Sequence, residues 1–430
     1  MIGGSMKMTS RIALVAAAGF LIGAATPAKA ADLGDGCCAD LEERVAELEA
    51  TTARKGNRVV SLQVYGNVSR GLLIWDDGVD SDIYNVDNDN QSTKVGFRGS
   101  GLMKPGVTAG FQLEFNIQEA DTATVNQLDH DNNDDTGSTA GEFDIRYANV
   151  YIEGERLGRL TVGHISEASD GIAQINLGGS GVAGDGATGA GFFVRDTVPA
   201  TDASNVTWGQ LLFDGDGARV NGIRYDSPSL YGFILSTSFS EDDRYDVTLR
   251  YSKEWNSVRF AAGVGYRWEE DDLKSLDVVA GGDQDDAETF MASGSVMHVP
   301  TGIYISAAYS DREATDFDGF DTDQEHWYVQ AGVTRNYFGY GNTTVYAMYG
   351  ENDFSSESDG APTINGGATF VDFAETDQWG VGVVQAFDSA ATEIYIHYMN
   401  YDTDIDAFGE GVDDSTDDFS AVLIGMTVSF

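Results

Sequence analysis

The sequence has few basic residues, prolines and cysteines. Its 430 residues include 25 Lys and Arg against 70 Asp and Glu, so the formal net charge is -45. A chain this acidic repels polyanions, which argues against binding to nucleic acid. There are only 6 prolines, and the 2 cysteines, Cys37 and Cys38, are adjacent. This spacing matches no zinc motif, and the thiols either pair between exported chains or stay free in a flexible tail.

Long apolar runs are also missing from most of the chain. Beyond residue 30, no stretch approaches the ~18 apolar residues typical of a membrane-spanning helix. At the start, basic residues precede the apolar segment Ile12–Ala25, and the small-x-small motif Ala28-Lys29-Ala30 follows it. This order is typical of a secretory signal peptide, so we predict that residues 1–30 are removed by cleavage.

Residues 31–58 form a separate, charged segment. Leu41, Val45 and Leu48 have the spacing of one apolar helix face, with charged residues between them. A helix of about two turns is marginal by itself. We therefore predict a short amphipathic helix in the periplasm, where copies of the chain would form a coiled coil.

From Val59 onward the apolar period changes to two. In residues 107–118, apolar side chains alternate strictly with polar or small ones. Such alternation predicts strands that have one apolar and one polar face. We predict sixteen strands. They are residues 59–75, 91–100, 106–118, 143–153, 158–165, 218–227, 230–240, 244–255, 257–269, 287–298, 302–311, 325–335, 342–351, 376–387, 391–401 and 419–430.

The predicted connections alternate between short and long. Tight turns such as Ser227–Ser229 and Asp388–Ala391 are followed by long loops such as 166–217. Soluble β-sandwiches also alternate apolar and polar residues, but their strands average about 5–6 residues and their loops show no such bias. We therefore predict an all-β fold, a 16-stranded antiparallel transmembrane β-barrel over residues 59–430. Closure would pair the last strand, which ends at Phe430, with the first.

Aromatic residues recur near the ends of the predicted strands. This distribution is typical of the two interfacial girdles of a membrane barrel. The residues that we assign to the outward girdles are Trp75, Tyr251, Trp255, Trp268, Trp327, Phe387, Tyr401 and Phe430.

The loop 166–217 is the longest connection and is rich in glycine. Its two GxGxxG matches, which begin at Gly179 and Gly184, neither follow a strand nor open a helix, so they do not indicate a nucleotide site. The glycines instead suit a loop that folds back into the barrel. Such a loop would bring Glu167, Asp170 and Asp185 into the lumen.

Several basic residues fall on the inward side of the predicted strands. These are Lys94, Arg98, Arg146, Arg224, Arg250, Arg259 and Arg267, although the alternation is less clear around Arg146 and Arg224. Basic residues on the wall opposite carboxylates on the loop would create a transverse field at a pore constriction. The alternative is that these charges are simply solvated inside a water-filled barrel.

Catalytic and metal-binding motifs are weak. The five histidines show no HExxH spacing, no GxSxG is present, and the acidic run Asp87–Asn90 does not match an EF-hand. His164 and Ser166 lie together but lack a third catalytic partner, so a barrel hydrolase is only an alternative. We predict a protein that is not an enzyme and has no cofactor, with divalent cations bound loosely at most by its acidic loops.

Four segments resemble the general porins of alphaproteobacteria. They are residues 40–78, 146–164, 168–179 and 222–233. The resemblance extends over essentially the whole chain after the signal peptide, but residues 361–373 have no counterpart. It implies a trimeric, sixteen-stranded porin in the outer membrane of a Gram-negative bacterium, with the third loop folded into the lumen.

The function that we predict is passive diffusion of ions and small hydrophilic solutes through a water-filled channel. Weak cation selectivity is expected because the predicted long loops carry most of the acidic residues but only three bases, Arg195, Lys274 and Arg312. The expected partners are outer-membrane lipid, other copies of the chain, and the transported solutes. Two alternatives are a structural protein that contacts the cell wall through residues 31–58, and a solute-specific channel. The latter would bind sugars or oligosaccharides on the lumenal tyrosines Tyr304, Tyr328, Tyr346 and Tyr395.

Overall fold

The computed structural model describes most of the chain after residue 58. The described residues are 59–117, 120–130, 143–183, 188–196, 206–241, 243–270, 286–315, 321–356, 363–364, 369–407 and 416–430. They belong to one compact unit, Thr51–Phe430. The predicted signal peptide, the helix over residues 31–58, both cysteines and Asp185 lie outside the described residues.

Sixteen antiparallel strands form a closed wall. They are β1 Gln63–Asp76, β2 Lys94–Lys104, β3 Val107–Ile117, β4 Phe143–Gly154, β5 Gly158–Ser166, β6 Arg219–Asp226, β7 Phe233–Ser240, β8 Tyr245–Trp255, β9 Val258–Glu269, β10 Asp286–His298, β11 Ile303–Thr315, β12 Asp321–Arg335, β13 Thr343–Ser356, β14 Thr369–Phe387, β15 Thr392–Ala407 and β16 Phe419–Ser429. Each strand pairs with the next, and β16 pairs with β1 from Asn67↔Ser429 to Asp76↔Ser420. The predicted 16-stranded barrel is confirmed.

The apolar faces of the strands point outward. On β11, Ile303 and Ile305 are 60% and 51% exposed, whereas the intervening Tyr304 is 2% exposed. This is the reverse of a soluble sandwich, whose apolar face is buried, and it suits a wall that faces lipid. In the described residues, no helix is both long and apolar enough to cross a membrane.

The end of the chain is held in the wall. The backbone N–H of Phe430 donates to Gly66 O at 3.0 Å, and Gly66 N–H donates to Phe430 O at 3.1 Å. The Phe430 ring also lies against Gly66, where an added Cβ would come within 2.8 Å of it. A glycine at this position therefore lets the terminal aromatic residue pack against β1.

Two parts of the wall differ from the prediction. The segment 76–90 was expected to be a loop. It contains a short strand, Ser81–Asp87, which pairs with residues 70–76 of β1. The later strands are also longer than predicted, and β14 reaches 19 residues. A tilted strand needs only about 9–11 residues to span a membrane. The surplus residues therefore continue the wall beyond the spanning region at its long-loop end.

The assignment of Trp75 and Tyr401 to the outward aromatic girdle is wrong. Both side chains are buried inside the barrel, at 4% and 0% exposure. Trp75 shares the inner face of β1 with Asn67 and Ser69, and it packs against Phe192 of the long loop at a ring distance of 5.0 Å. An inward apolar residue is stable here because the loop covers it, which alternation within the strand does not reveal.

The barrel therefore contains an apolar core inside its lumen. The core joins the long loop to β1, β15 and β16, the strands around the closure of the sheet. We call it the seam core and define it by five aromatic residues. They are Trp75, Phe192, Trp208, Tyr401 and Phe419.

Candidate pore constriction

The long loop leaves the wall after Ser166, and its described part runs along the inner wall. The backbone N–H groups of Ile175 and Leu177 donate to the hydroxyls of Ser293 and Ser295 on β10, each at 3.1 Å. Small hydroxyl side chains let the loop backbone come close to the wall and satisfy its donors there. The predicted infolding of this loop is therefore confirmed for its described residues.

Gly178 brings the loop into close contact with the next strands of the same wall. Its carbonyl accepts a hydrogen bond from Thr344 of β13 at 3.0 Å. A Cβ at this position would lie 2.0 Å from the ring of Tyr304. Only glycine permits this contact, which gives the glycine-rich composition of the loop a steric reason.

Two of the predicted constriction arginines hold the first residues of the loop. Arg250 donates from Nη2 to Ala168 O and Asp170 O, each at 2.7 Å. Arg224 donates from Nη1 to Glu167 O at 2.7 Å. Because these guanidinium groups bind backbone carbonyls, they fix where the loop enters the lumen.

Glu167 and Arg267 join the two ends of the loop. The Glu167 side chain is 1% exposed, and its carboxylate accepts from Ala218 N at 2.9 Å. Arg267 donates to Asp216 O at 3.0 Å and pairs with Glu269 at 2.7 Å. Burial raises the pKa of Glu167, although the Ala218 hydrogen bond and the nearby arginines oppose the shift. Glu167 lies at the base of the loop and does not line the cavity between the loop and the wall.

A cavity of about 460 Å³ separates the loop from the remaining wall. The charged side chains that line it come from both sides. They are Asp89, Arg146, Asp170, Asp214, Asp216 and Arg219. Of the predicted constriction residues, Arg146 and Asp170 therefore line this cavity.

The basic side of the cavity is built by a β-bulge and a strand end. The register of β3 and β4 shifts between Glu114 and Phe115, which leaves Arg146 as an extra residue whose Nε lies 3.0 Å from Glu114. Bulges commonly redirect a side chain. Arg219, the first residue of β6, lies 3.9 Å from Asp170. Lys94 of β2 is close enough to both arginines to repel them electrostatically, although it does not line the cavity.

Arg219 was not predicted from the sequence. Alternation places it with Asn221 and Ile223, which point outward, but its guanidinium lies over the Tyr147 ring at 5.7 Å and approaches Asp170. At the first residue of a strand, the adjoining loop decides the direction of the side chain. The available signal was its position directly after the longest loop.

The acidic side is formed by the end of the loop, where Asp214 and Asp216 were also missed. The Asp216 carboxylate accepts from Gly171 N at 2.8 Å and from Ala173 N at 3.4 Å. Burial, with repulsion from Asp214 and Asp170, raises the pKa of Asp216 to about 8. The signal in the sequence was the repeated Asp-Gly at residues 214–217, which places two carboxylates on a tight turn.

Two predicted constriction residues lie elsewhere. Arg98 donates to Gln63 Oε1 at 3.0 Å, and Arg259 pairs with Glu254 at 3.0 Å beside the short turn between β8 and β9. Neither residue lines the cavity.

The histidine and serine that suggested a hydrolase have separate partners. His164 Nδ1 is 3.2 Å from Asn221 Oδ1 on the outer face of the wall. Ser166 Oγ instead lies 2.7 Å from the Tyr147 hydroxyl and donates to Asp170. This arrangement does not form a base and nucleophile pair.

The tyrosines proposed to bind sugars are mostly covered. Tyr304, Tyr346 and Tyr395 are 2%, 3% and 1% exposed, and only Tyr328 of the four lines the cavity. Tyr395 Oη accepts a hydrogen bond from Asn88 at 2.9 Å. The ring faces of Tyr304, Tyr346 and Tyr395 therefore serve packing inside the barrel.

Comparison with protein families agrees with this geometry. A model described as Gram-negative porin matches residues 13–407. The chain belongs to the Gram-negative porin family. It is accordingly a β-barrel channel of a Gram-negative outer membrane, as predicted, while the alphaproteobacterial subgroup stays a prediction. No match was found among curated protein sequences.

Solved structures share the fold at low identity. An anion-selective porin from Comamonas acidovorans has a TM-score of 0.56 and 16% identity, over 86% of this chain and all of that one. OmpT of Vibrio cholerae, described in a trimer form, has a TM-score of 0.53 and 13% identity, over 86% and 100%. The channel DcaP of Acinetobacter baumannii has a TM-score of 0.51 and 12% identity, over 87% and 99%. At these identities the likeness concerns the fold alone.

Proposed function

We propose that this porin is a passive channel for ions and small hydrophilic solutes, that it is not an enzyme, and that it weakly prefers cations. The cavity between the loop and the wall carries the proposal. Four carboxyl side chains and two guanidinium groups line it. At neutral pH the shift in the pKa of Asp216 to about 8 keeps that group mostly protonated. Three carboxylates against two arginines leave a small negative excess.

The acidic outer loops support the same sign of selectivity at low salt. The whole chain has a net charge of -45. Charges more than a Debye length away, about 8 Å at physiological ionic strength, are largely screened. The outer loops therefore enrich cations at the mouth only in dilute salt, whereas the lining of the cavity acts at all salt concentrations. The channel uses no cofactor, and divalent cations bind only loosely to its acidic loops.

We further propose that the protein forms trimers in lipid. Support comes from the trimer form described for OmpT of Vibrio cholerae and from the coiled coil predicted for residues 31–58. Deleting residues 31–55 of the mature chain should lower the temperature at which the oligomer dissociates on unheated gels, while the barrel stays folded. An unchanged dissociation temperature would remove this segment from assembly.

The passive function is tested by liposome swelling and by single-channel recording of the purified protein. Swelling rates for neutral sugars should fall smoothly with increasing solute size, and the current should rise linearly with voltage. The solute-specific alternative predicts instead that one sugar saturates the flux and blocks the current at millimolar concentration. Absence of ion conductance in folded, inserted protein would contradict the proposed function itself.

A further inference from the structure

The two sides of the cavity carry opposite charges on separate supports. Arg146 and Arg219 belong to the wall strands β4 and β6, whereas Asp214 belongs to the returning end of the loop. Asp214 is fixed in place because its carbonyl accepts from Ser310 of β11 at 2.8 Å and its carboxylate accepts from Gln174 at 3.1 Å. A cationic pole and an anionic pole are therefore held in one cavity.

Buried polar atoms lie close to the anionic pole. His326 and Asn352 are 4% and 1% exposed, and both line the cavity. The two side chains are neighbours, and the Nδ1 of His326 and the Nδ2 of Asn352 reach hydrogen-bond geometry with no group in the described part of the chain. A buried polar atom without a hydrogen bond costs free energy, and a solute that forms a hydrogen bond with it removes that cost. This observation is independent of the charges and indicates a ligand near Asp214.

The lining also offers apolar surface between its charged groups. Leu212 and Phe213 of the loop and Met348 of β13 contribute to it. Phe213 is fixed through its backbone N–H, which donates to Asn352 Oδ1 at 3.0 Å. A volume of about 460 Å³ is at the lower end of the roughly 300–1,000 Å³ of small-molecule sites.

We propose that this cavity is a binding subsite for small zwitterions, namely α-amino acids with an apolar side chain. The carboxylate would face Arg146 and Arg219, and the ammonium group would face Asp214 beside His326 and Asn352. The inference rests on the proposed channel function and specifies the solutes that the channel retains while they pass.

A zwitterion fits the cavity better than a simple ion or a neutral sugar. A monovalent ion neutralises the charge of one pole, and the charged groups of the opposite pole stay hydrated. The hydroxyls of a neutral sugar can hydrogen-bond to both poles, but they bring no opposite charge to either one. A molecule with both charges gains at both poles, and its apolar side chain covers the surface of Leu212 and Met348.

The test compares leucine with two probes that each lack one of its charges. These are 4-methylpentanoate, which lacks the ammonium group, and isoamylamine, which lacks the carboxylate. Apparent dissociation constants come from the reduction of K⁺ current in single channels of the full-length protein at neutral pH. We expect leucine to bind about fivefold more tightly than either probe, the effect of one additional solvated ion pair. Equal dissociation constants for all three would overturn the proposal.

Charge-removing variants assign the poles. Arg219→Gln should weaken leucine and 4-methylpentanoate about fivefold and leave isoamylamine unchanged, whereas Asp214→Asn should weaken leucine and isoamylamine only. Arg259→Gln, which lies outside the cavity, is the matched control and should leave all three values unchanged. The wild-type comparison stands even if a variant fails to fold.

If both pole variants weakened the three probes equally, the assignment of the poles would be wrong. A channel that conducts K⁺ but does not distinguish leucine from its analogues would refute only this inference. A protein that inserts and does not conduct would refute the proposed function as well.

Discussion

The half of the lumen that the long loop covers differs in chemistry from the half that it leaves open. Under the loop, the wall presents serines, threonines and the seam core, and the loop satisfies its backbone donors on those hydroxyls. On the open side, the wall presents Arg146 and Arg219. Trp208 and Arg250 hold the loop but do not line the cavity, so anchoring can be disturbed without replacing a residue of the lining.

The largest effect should follow from removing the seam core. Trp208 is 1% exposed and packs on Tyr401 at a ring distance of 5.6 Å. Trp208→Ala should cost about 3–5 kcal/mol of the packing that holds the loop. Because the wall closes without the loop, we expect a folded barrel whose loop is cut by protease and whose single-channel conductance is raised.

The control for this variant is Trp255→Ala, since Trp255 is 69% exposed on the outer surface. It should leave protease resistance and conductance as in the wild type. If Trp208→Ala also left both unchanged, the seam core would not be the anchor of the loop.

A smaller effect is expected where one arginine holds the start of the loop. Arg250→Gln removes the two charge-assisted hydrogen bonds to Ala168 O and Asp170 O. Each is worth about 1.5–3 kcal/mol. Asp170 should then move, so single-channel recordings should show additional conductance levels, while Arg259→Gln shows a single level. One conductance level for Arg250→Gln would indicate that the loop does not need this contact.

The open half should respond to pH through Asp216. Its pKa is raised from 3.8 to about 8, so the side chain is neutral below that value and ionised above it. Between these values the unfolded chain has lost the proton that the folded chain keeps, so this group lowers the free energy of unfolding as pH rises. As the pH rises through about 8, Asp216 loses its proton and the cavity gains one negative charge.

We therefore expect the reversal potential in a KCl gradient to move toward cation preference as the pH rises from about 6.5 to 9.5. Asp216→Asn should flatten this dependence, and its value should match the wild type at low pH. A wild-type potential that is independent of pH would show that Asp216 does not titrate in this range.

The smallest effect concerns the outer loops. Their carboxylates act on cations at the mouth only while the Debye length, about 10 Å in 0.1 M salt and 3 Å in 1 M, reaches them. Raising KCl from 0.1 to 1 M should weaken the cation preference without reversing it. A preference that stays constant over this range would assign all of the selectivity to the cavity.

The strand pattern predicted the barrel well because each spanning residue faces either lipid or the lumen. Successive side chains of a strand point to opposite faces, so apolar residues recur at every second position facing the lipid. In β11 this places Ile303 and Ile305 outward and Tyr304 inward. Strand ends were less predictable. The later strands continue beyond the spanning region, where nothing in the lipid limits their length.

The candidate site was predicted only in part, for identifiable physical reasons. Asp170 and Arg146 were identified, but the bulge at Arg146 obscured its direction. Arg219 lies where the loop and not the strand sets the orientation of the side chain. Trp75 and Tyr401 point inward because they pack against Phe192 and Trp208 of the long loop. The local alternation of apolar and polar residues carries no information about contacts with a distant part of the chain.

We infer that the constriction is divided between wall arginines and loop carboxylates. The most direct measurement is the reversal potential in a KCl gradient at neutral pH for three proteins: the wild type, Arg146→Gln with Arg219→Gln, and Asp170→Asn with Asp214→Asn. We expect a weak cation preference in the wild type, a shift toward cations in the first variant and a shift toward anions in the second. An anion-selective wild type, or two variants that leave the potential unchanged, would contradict it.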